Sequence, residues 1–111
     1  MISEDALDQI RRWADRRVPE HVRVQVRLEV DVADRPVTIL ECRPPWQPEY
    51  GLDWTRFPIA RLRYTKSRKR WSLYWRGRNL KFHEYHLADL SPDVQSLLGE
   101  IDRDPTSIFW G

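Results

Sequence analysis

Residues 57–85, FPIARLRYTKSRKRWSLYWRGRNLKFHEY, decide the fold of this chain. Apolar and polar side chains alternate through three segments of this stretch, and turn-forming residues separate the segments. An alternation with a period of two is typical of strands that bury one face. The stretch therefore predicts three antiparallel strands joined by two hairpins.

The register of both hairpins follows from requiring apolar side chains to face one another. A tight turn at Ser67-Arg68 predicts three facing pairs: Tyr64 with Trp71, Leu62 with Leu73, and Ala60 with Trp75. A second turn at Gly77-Arg78, with the glycine supplying the unusual backbone angle, predicts two more: Trp75 with Leu80, and Leu73 with Phe82. The apolar side chains then share one face. We assign five of them to the core: Trp71, Leu73, Trp75, Leu80 and Phe82.

The part of the chain before this stretch predicts one helix and two strands. Ser3 is placed to cap a helix that ends before Pro19. Strict alternation over residues 22–32 predicts a strand with one wet face. After a turn at residues 34–36, a second strand follows over residues 37–43.

Two irregular features follow in that region. The apolar phase of the second strand shifts between Ile39 and Leu40, which indicates a β-bulge. Residues 44–56 hold three prolines and a glycine and predict a long loop. The aromatic residues of this loop predict a cover packed on the domain: Trp46, Tyr50 and Trp54.

The C-terminal part predicts a second helix and a docked tail. Residues 91–93, Ser-Pro-Asp, form a cap with proline at the first helical position, and Asp104-Pro105 ends the helix. The apolar residues 108–110 are expected to dock on the domain. The predicted fold is α+β in one domain, residues 1–111: an N-terminal helix, an antiparallel meander of about five strands, and a C-terminal helix packed on one face of the sheet.

Composition narrows the class of protein. A chain of 111 residues fits one domain. Its single cysteine, Cys42, cannot form an internal disulfide, and the sequence has no leader and no long apolar run. We therefore expect a protein of the reducing cytoplasm with no membrane span, and no motif indicates a cofactor.

Positive charge is concentrated in the stretch that decides the fold. Residues 57–85 hold nine Lys and Arg against the single Glu84, a net charge of +8, whereas the whole chain has a net charge of +2. Like charges at this density either spread over solvent or attract an acidic partner.

The predicted register sets cations beside aromatic rings on the wet face of the hairpins. One row is predicted to hold Arg61, Tyr74 and Lys81, and the next row Arg63, Ser72 and His83. Phosphates need positive charge and unpaired bases stack on aromatic or guanidinium planes, so this pattern favours single-stranded nucleic acid or another polyanion. An ordinary solvated sheet face gives the same pattern. The candidate binding residues are Arg61, Arg63, Lys66, Arg68, Arg70, Tyr74, Arg76, Lys81, His83 and Tyr85.

Two other functions stay open at this point. A protein-interaction or self-association domain would pair the acidic C-terminal part of one copy with the basic hairpins of another. A small hydrolytic enzyme would use His83 beside Ser72, although no carboxylate in that row orients the histidine. The run from His83 to His86 does not predict a metal site, because residues three apart on a strand project to opposite faces. Binding without catalysis is the hypothesis that the residues favour.

Three segments also carry a family resemblance. These segments are FPIARLRYTK at residues 57–66, WSLYWRGRN at residues 71–79 and DRDPTSIFWG at residues 102–111. They resemble a bacterial family described only as domain of unknown function 3024. The resemblance spans almost the full length and implies a small stand-alone protein. It implies no activity, cofactor or site residue.

Overall fold

The computed structural model describes residues 3–33, 36–45, 51 and 53–110, and these contain two α-helices and five strands. The helices are α1, Glu4–Arg17, and α2, Val94–Arg103. The strands are β1, Arg27–Val32; β2, Pro36–Arg43; β3, Thr55–Thr65; β4, Arg70–Arg76; and β5, Phe82–Glu84. They form one antiparallel sheet in chain order, which confirms the predicted α+β meander.

Helix α1 begins where its cap predicts. The Ser3 hydroxyl accepts a hydrogen bond from the backbone N–H of Ala6 at 3.2 Å, and Glu4 and Asp5 lie in the first turn, where the helix dipole favours acids. The helix ends at Arg17, before the proline, as predicted.

The segment after α1 corrects the predicted strand over residues 22–32. Strand β1 begins only at Arg27, because a short 3-10 helix at Glu20–Val22 takes up the preceding backbone hydrogen bonds. The guanidinium of Arg23 donates to the carbonyl oxygens of Val18 and Asp15 and so satisfies the end of α1. Residues 22–26 therefore do not form a strand despite their alternating pattern, because their hydrogen bonds close the turns that follow α1.

One face of the sheet packs against both helices. Because facing residues of antiparallel strands share a face, two rows define it: Val37, Leu62 and Leu73 in one row, and Ile39, Ala60 and Trp75 in the other. The helices contribute further core residues: Ile10 and Trp13 from α1, and Leu98 and Ile101 from α2. We call this face the helix side, and the opposite face the outer face.

The register of β2 against β3 shifts between Ile39 and Leu40, where the sequence predicts a bulge, but the extra residue is Ile59 of β3 rather than a residue of β2. The predicted turn at residues 34–36 cannot be followed at Asp34 and Arg35, which lie outside the described residues, as do Trp46 and Tyr50 of the predicted cover. Trp54 lies under the guanidinium of Arg27, whose Cζ is 4.1 Å from the ring centroid.

The first hairpin has the predicted register. Tyr64 faces Trp71, Leu62 faces Leu73 and Ala60 faces Trp75. The prediction holds because both strands alternate without interruption up to a turn of four residues, 66–69.

The register predicted for the second hairpin is wrong by three residues. Trp75 faces His83 rather than Leu80, and Arg76 faces Phe82. An odd shift exchanges the two faces of the strand, so Phe82 moves to the outer face and His83 to the helix side. Leu80, predicted in the core, is 65% exposed.

The cause of this shift lies in the turn over residues 77–81. The N–H of Gly77 donates to the carbonyl of Lys81 at 2.8 Å, so the turn is wider than a two-residue hairpin. A Cβ at Gly77 would lie 2.8 Å from Nε2 of His83, so the glycine provides space for that ring. The positive φ of the turn belongs instead to Leu80, at 65°.

The C-terminal helix lies where the sequence predicts it, except that Asp93 rather than Ser91 is its capping residue and Pro92 lies before the cap instead of at the first helical position. Asp93 caps α2 through a bond from the N–H of Gln95 at 3.0 Å, whereas Ser91 exchanges two backbone hydrogen bonds with Trp71. Helix α2 stops at Asp104, whose φ is 40°. In the described part of the chain, neither helix is both long and apolar enough to cross a membrane.

The apolar tail is docked, as predicted. Trp110 donates its indole N–H to the carbonyl of Ile101 at 2.8 Å, and Phe109 is buried. The carboxylate of Asp104 accepts the backbone N–H groups of both tail residues at 3.0 and 2.9 Å. One aspartate therefore ends α2 and holds the tail.

Candidate functional site

The outer face carries one row of facing side chains that crosses all five strands. In order from β1 to β5, the row consists of Asp31, Thr38, Arg61, Tyr74 and Glu84. A carboxylate stands at each edge, and a cation and an aromatic ring stand in the middle. Within this row, positive charge is therefore confined to Arg61 of β3.

Arg61, at the centre of the row, is held by two neighbours. Its Nε donates to Oγ1 of Thr38 at 3.1 Å, and its Cζ lies 4.1 Å from the ring centroid of Phe82. A cation over an aromatic ring is attracted by the ring quadrupole, with a typical contribution of about 0.5–2 kcal/mol. The guanidinium is thus fixed in position before any ligand arrives.

Arg76 repeats this arrangement next to Arg61. Its Cζ lies 4.9 Å from the ring centroid of Phe57, and the residue faces Phe82 across the strand pair. The side chains alternate as ring, guanidinium, ring and guanidinium, and we call the set the arginine–aromatic ladder: Phe57, Arg76, Phe82 and Arg61. Phe57 faces Glu41, which faces Leu28 of the helix side, so this ring belongs by register to the helix side and contacts Arg76 where β4 ends. Nε of Arg76 is buried and has no hydrogen-bond partner among the described residues.

The two arginines of the ladder and Arg63 form no ion pair within the described ranges. None of Arg61, Arg63 and Arg76 has a carboxylate oxygen within 4.0 Å there, although six other arginines do. Arg56, for example, pairs with Glu29 at 2.9 Å. The positive potential of the ladder and of Arg63 is therefore available to an anion.

Cys42 lies on the same face but is fully buried, with 0% of its surface exposed. Burial, followed by the negative charge of Glu29, raises the pKa of its thiol. Because the thiolate is the reactive form, this cysteine is a packing residue rather than a nucleophile.

The turn between β3 and β4 extends the basic surface. We call the turn residues 66–69 together with Arg70, the first residue of β4, the basic turn, and its four cations are all exposed: Lys66, Arg68, Lys69 and Arg70. Lys69 has a φ of 52°, and Arg70 donates to its carbonyl oxygen at 3.2 Å. The basic turn lies at the far end of the hairpin from the ladder.

The structure brings together four of the predicted site residues on the outer face: Arg61, Arg63, Tyr74 and Arg76. The predicted Lys66, Arg68 and Arg70 lie in the basic turn. Lys81 is not in the row of Arg61, because it is an exposed residue of the turn over residues 77–81.

His83 and Tyr85 are predicted on the wet face of the hairpins, but both lie on the helix side. Tyr85 is 4% exposed and donates its hydroxyl to Oε1 of Glu100 at 2.8 Å. Burial, together with that bond, raises the pKa of Tyr85 to about 12. A tyrosine held in this way is part of the core and cannot stack on a ligand.

The hydrolytic arrangement of His83 with Ser72 is absent from the described structure. Ser72 lies on the outer face, where its buried hydroxyl donates to the carbonyl of Arg63 at 3.2 Å. The His83 ring stacks on Trp75 with centroids 4.8 Å apart, and its Nε2 is 3.2 Å from Oδ1 of Asn79. The two side chains therefore lie on opposite faces of the sheet.

A groove of about 640 Å³ opens beside His83, along the free edge of β5. It is lined mainly by apolar and aromatic side chains, among them Trp75, Leu87 and Ile108. Among the described residues, no three of His, Cys, Asp and Glu come close enough together to hold a metal ion.

Sequence reasoning missed the two rings of the ladder. The wrong register predicts Phe82 in the core, and no sequence pattern marks Phe57 for binding, although it is 57% exposed. An exposed phenylalanine at the start of a strand leaves no signal in an alternation pattern. To place Phe82 on the correct face, one must know the width of the turn over residues 77–81, and that width depends on the packing of His83.

Comparison with known proteins identifies the family. The family model described as Domain of unknown function (DUF3024) matches residues 2–111, so the chain belongs to that family. No curated protein and no solved structure matches the chain.

Proposed function

We propose that this member of the DUF3024 family is a binding protein that holds single-stranded nucleic acid on its outer face, without catalysing a reaction. The observation that carries the proposal is the arginine–aromatic ladder. Unpaired bases stack on guanidinium planes and aromatic rings. A guanidinium already held over a ring needs little further ordering when a base arrives, which lowers the entropic cost of binding.

The phosphates of the bound strand have their own partners in this proposal. Arg63 is exposed on the outer face, and the basic turn adds four exposed cations. Contacts of this kind bind any sequence and weaken as salt rises, because each neutralised phosphate releases counterions. We therefore expect affinity without strong sequence preference.

The charges of the outer face also favour one direction for a bound nucleic-acid strand. Asp31 and Glu84 stand at the two edges of the row that contains Arg61, so a phosphate backbone crossing the sheet would meet a carboxylate on either side. A backbone running along the hairpin, from the basic turn to the ladder, avoids both. Strand β4, Arg70–Arg76, is about 20 Å long, and this is the length of surface that such a path would follow.

Fluorescence anisotropy with labelled single-stranded oligonucleotides tests this function. We expect binding at low salt that weakens at moderate salt, and a strong loss of affinity in the double variant Arg61→Ala with Arg76→Ala. The matched control is Arg11→Ala with Arg16→Ala, which removes the same charge from exposed positions of α1. A control that binds as the unchanged protein does would assign the loss to the ladder rather than to net charge.

Two results would overturn the proposal. One is no binding at low salt, and the other is an equal loss of affinity in both double variants. Light scattering on the same samples separates the alternative of self-association. A salt-sensitive dimer that the ladder variant abolishes, without any oligonucleotide binding, would favour association of two copies through the basic hairpin.

A further inference from the structure

Leu80 is an apolar residue in an unfavourable position. Its side chain is 65% exposed, and its φ of 65° lies in the left-handed region, which costs free energy for any residue with a branched or bulky side chain. Burial in the core does not explain it, and asparagine or glycine would suit the backbone better. Residues held in such conformations are frequent at ligand-binding sites.

The turn that carries Leu80 is held firmly. The N–H of Leu80 donates to the carbonyl of Gly77 at 2.9 Å, and Gly77 donates in turn to the carbonyl of Lys81 at 2.8 Å. Oδ1 of Asn79 accepts the N–H of Lys81 at 3.2 Å and lies 3.2 Å from Nε2 of His83. The exposed leucine is therefore presented on an ordered support rather than on a loose loop.

The turn directly adjoins the ladder. It connects Arg76 to Phe82, which are facing residues and both members of the ladder. Arg78 and Lys81 are exposed on either side of Leu80. An apolar side chain between two cations suits a ligand that joins apolar surfaces to negative charge, as the bases and phosphates of a nucleic acid do.

We infer that Leu80 inserts between two neighbouring bases of the strand bound on the ladder and separates them. The inference rests on the proposed function and adds a role for a residue outside the outer face. Leucine is one of the side chains that proteins use as wedges between bases, because its apolar surface replaces the contact between the two stacked rings. Leu80 would separate bases at the end of the bound nucleic acid that lies nearest the ladder.

Oligonucleotides that carry the fluorescent base 2-aminopurine at successive positions test this inference. The fluorescence of this base rises when its neighbours no longer stack on it. With the unchanged protein, we expect a rise at one or two adjacent positions. Leu80→Asn should abolish the rise and weaken binding about three- to tenfold, since part of one apolar contact is lost. The same variant should raise the midpoint of thermal unfolding, because asparagine tolerates the left-handed conformation.

Two further variants serve as controls. Leu80→Met keeps a long apolar side chain and should keep both the rise in fluorescence and the affinity. Val24→Asn removes another exposed apolar side chain, 70% exposed and outside the hairpins, and should change neither.

The outcomes separate this inference from the proposed function. Oligonucleotide binding without any rise in fluorescence, or a rise that Leu80→Asn retains, overturns the wedge and leaves the proposed function intact. A marked fall in the unfolding midpoint of Leu80→Asn also overturns it, because Leu80 would then be a structural residue. No binding of any oligonucleotide overturns both.

Discussion

The two faces of strand β4, which is seven residues long, differ in how deeply their side chains are buried. On the helix side, Trp71 and Leu73 are 3% and 2% exposed and belong to the core. On the outer face, Tyr74 and Arg76 are half-buried, and the guanidinium of Arg76 lies over the ring of Phe57. If the proposed function holds, stability and binding depend on alternate residues of one strand. Variants of the two faces should therefore have separable effects.

The largest expected effect is the loss of a core side chain on the helix side. Leu62 is fully buried in β3, so Leu62→Ala should lower the free energy of unfolding by about 2–5 kcal/mol through lost burial and the cavity left behind. Urea unfolding followed by tryptophan fluorescence measures the change. Its neighbour Arg63 is exposed on the outer face, so Arg63→Ala should change stability by no more than about 0.5 kcal/mol. A comparable loss in both variants would break the contrast between the faces.

The next largest effect is a difference in the free energy of unfolding at alkaline pH between the unchanged protein and a variant of Tyr85. The pKa of Tyr85 is raised to about 12 by burial and by its bond to Glu100, while an unfolded tyrosine titrates near pH 10. The neutral form is thus favoured in the folded state, and its contribution is full below pH 10 and is lost as pH rises from 10 through 12.

The variant Tyr85→Phe isolates this contribution. Over pH 10–12, the free energy of unfolding should fall by about 2 kcal/mol less in Tyr85→Phe than in the unchanged protein. Tyr74→Phe, which removes a hydroxyl from the outer face, is the matched control and should follow the unchanged protein. Urea unfolding at several alkaline pH values gives the comparison, and parallel curves for all three proteins would contradict the assignment of Tyr85 to the core.

The smallest expected effect concerns the shape of the cations on the outer face. Lysine keeps the charge of arginine but lacks the planar guanidinium. Arg61→Lys with Arg76→Lys should weaken oligonucleotide binding about tenfold, while the slope of affinity against salt stays unchanged because the number of cations is the same. Arg11→Lys with Arg16→Lys should alter neither quantity. Unchanged affinity in the ladder variant would reduce the outer face to a purely electrostatic surface.

The hairpins show which parts of this fold can be predicted from sequence. The register of β3 with β4 follows from alternation, because the turn between them is short and both strands keep their phase up to it. The bulge opposite Ile39 is only partly visible in the sequence, because its extra residue is Ile59 of β3, whereas β2, whose apolar phase shifts there, pairs with β1 without interruption. Local patterns thus suffice wherever local hydrogen bonds set the geometry.

The second hairpin shows where such prediction fails. The width of its turn depends on the His83 ring packed against Gly77 and on the Asn79 side chain, which are contacts within the folded turn rather than a pattern. The error of three residues moved His83 and Tyr85 into the candidate site and moved Phe82 out of it. Arg61, Arg63, Tyr74 and Arg76 were placed correctly, because β3 and β4 alone determine their face.

Both helices lie on the helix side, and this has a practical consequence for experiments. The capping residue Ser3 lines a pocket with Trp71 of the helix side, and Trp110 bonds to Ile101 of α2. Dyes or surface tethers joined to exposed residues of α1 or α2 therefore project from the back of the domain. A protein immobilised through either helix leaves its outer face open to molecules in solution.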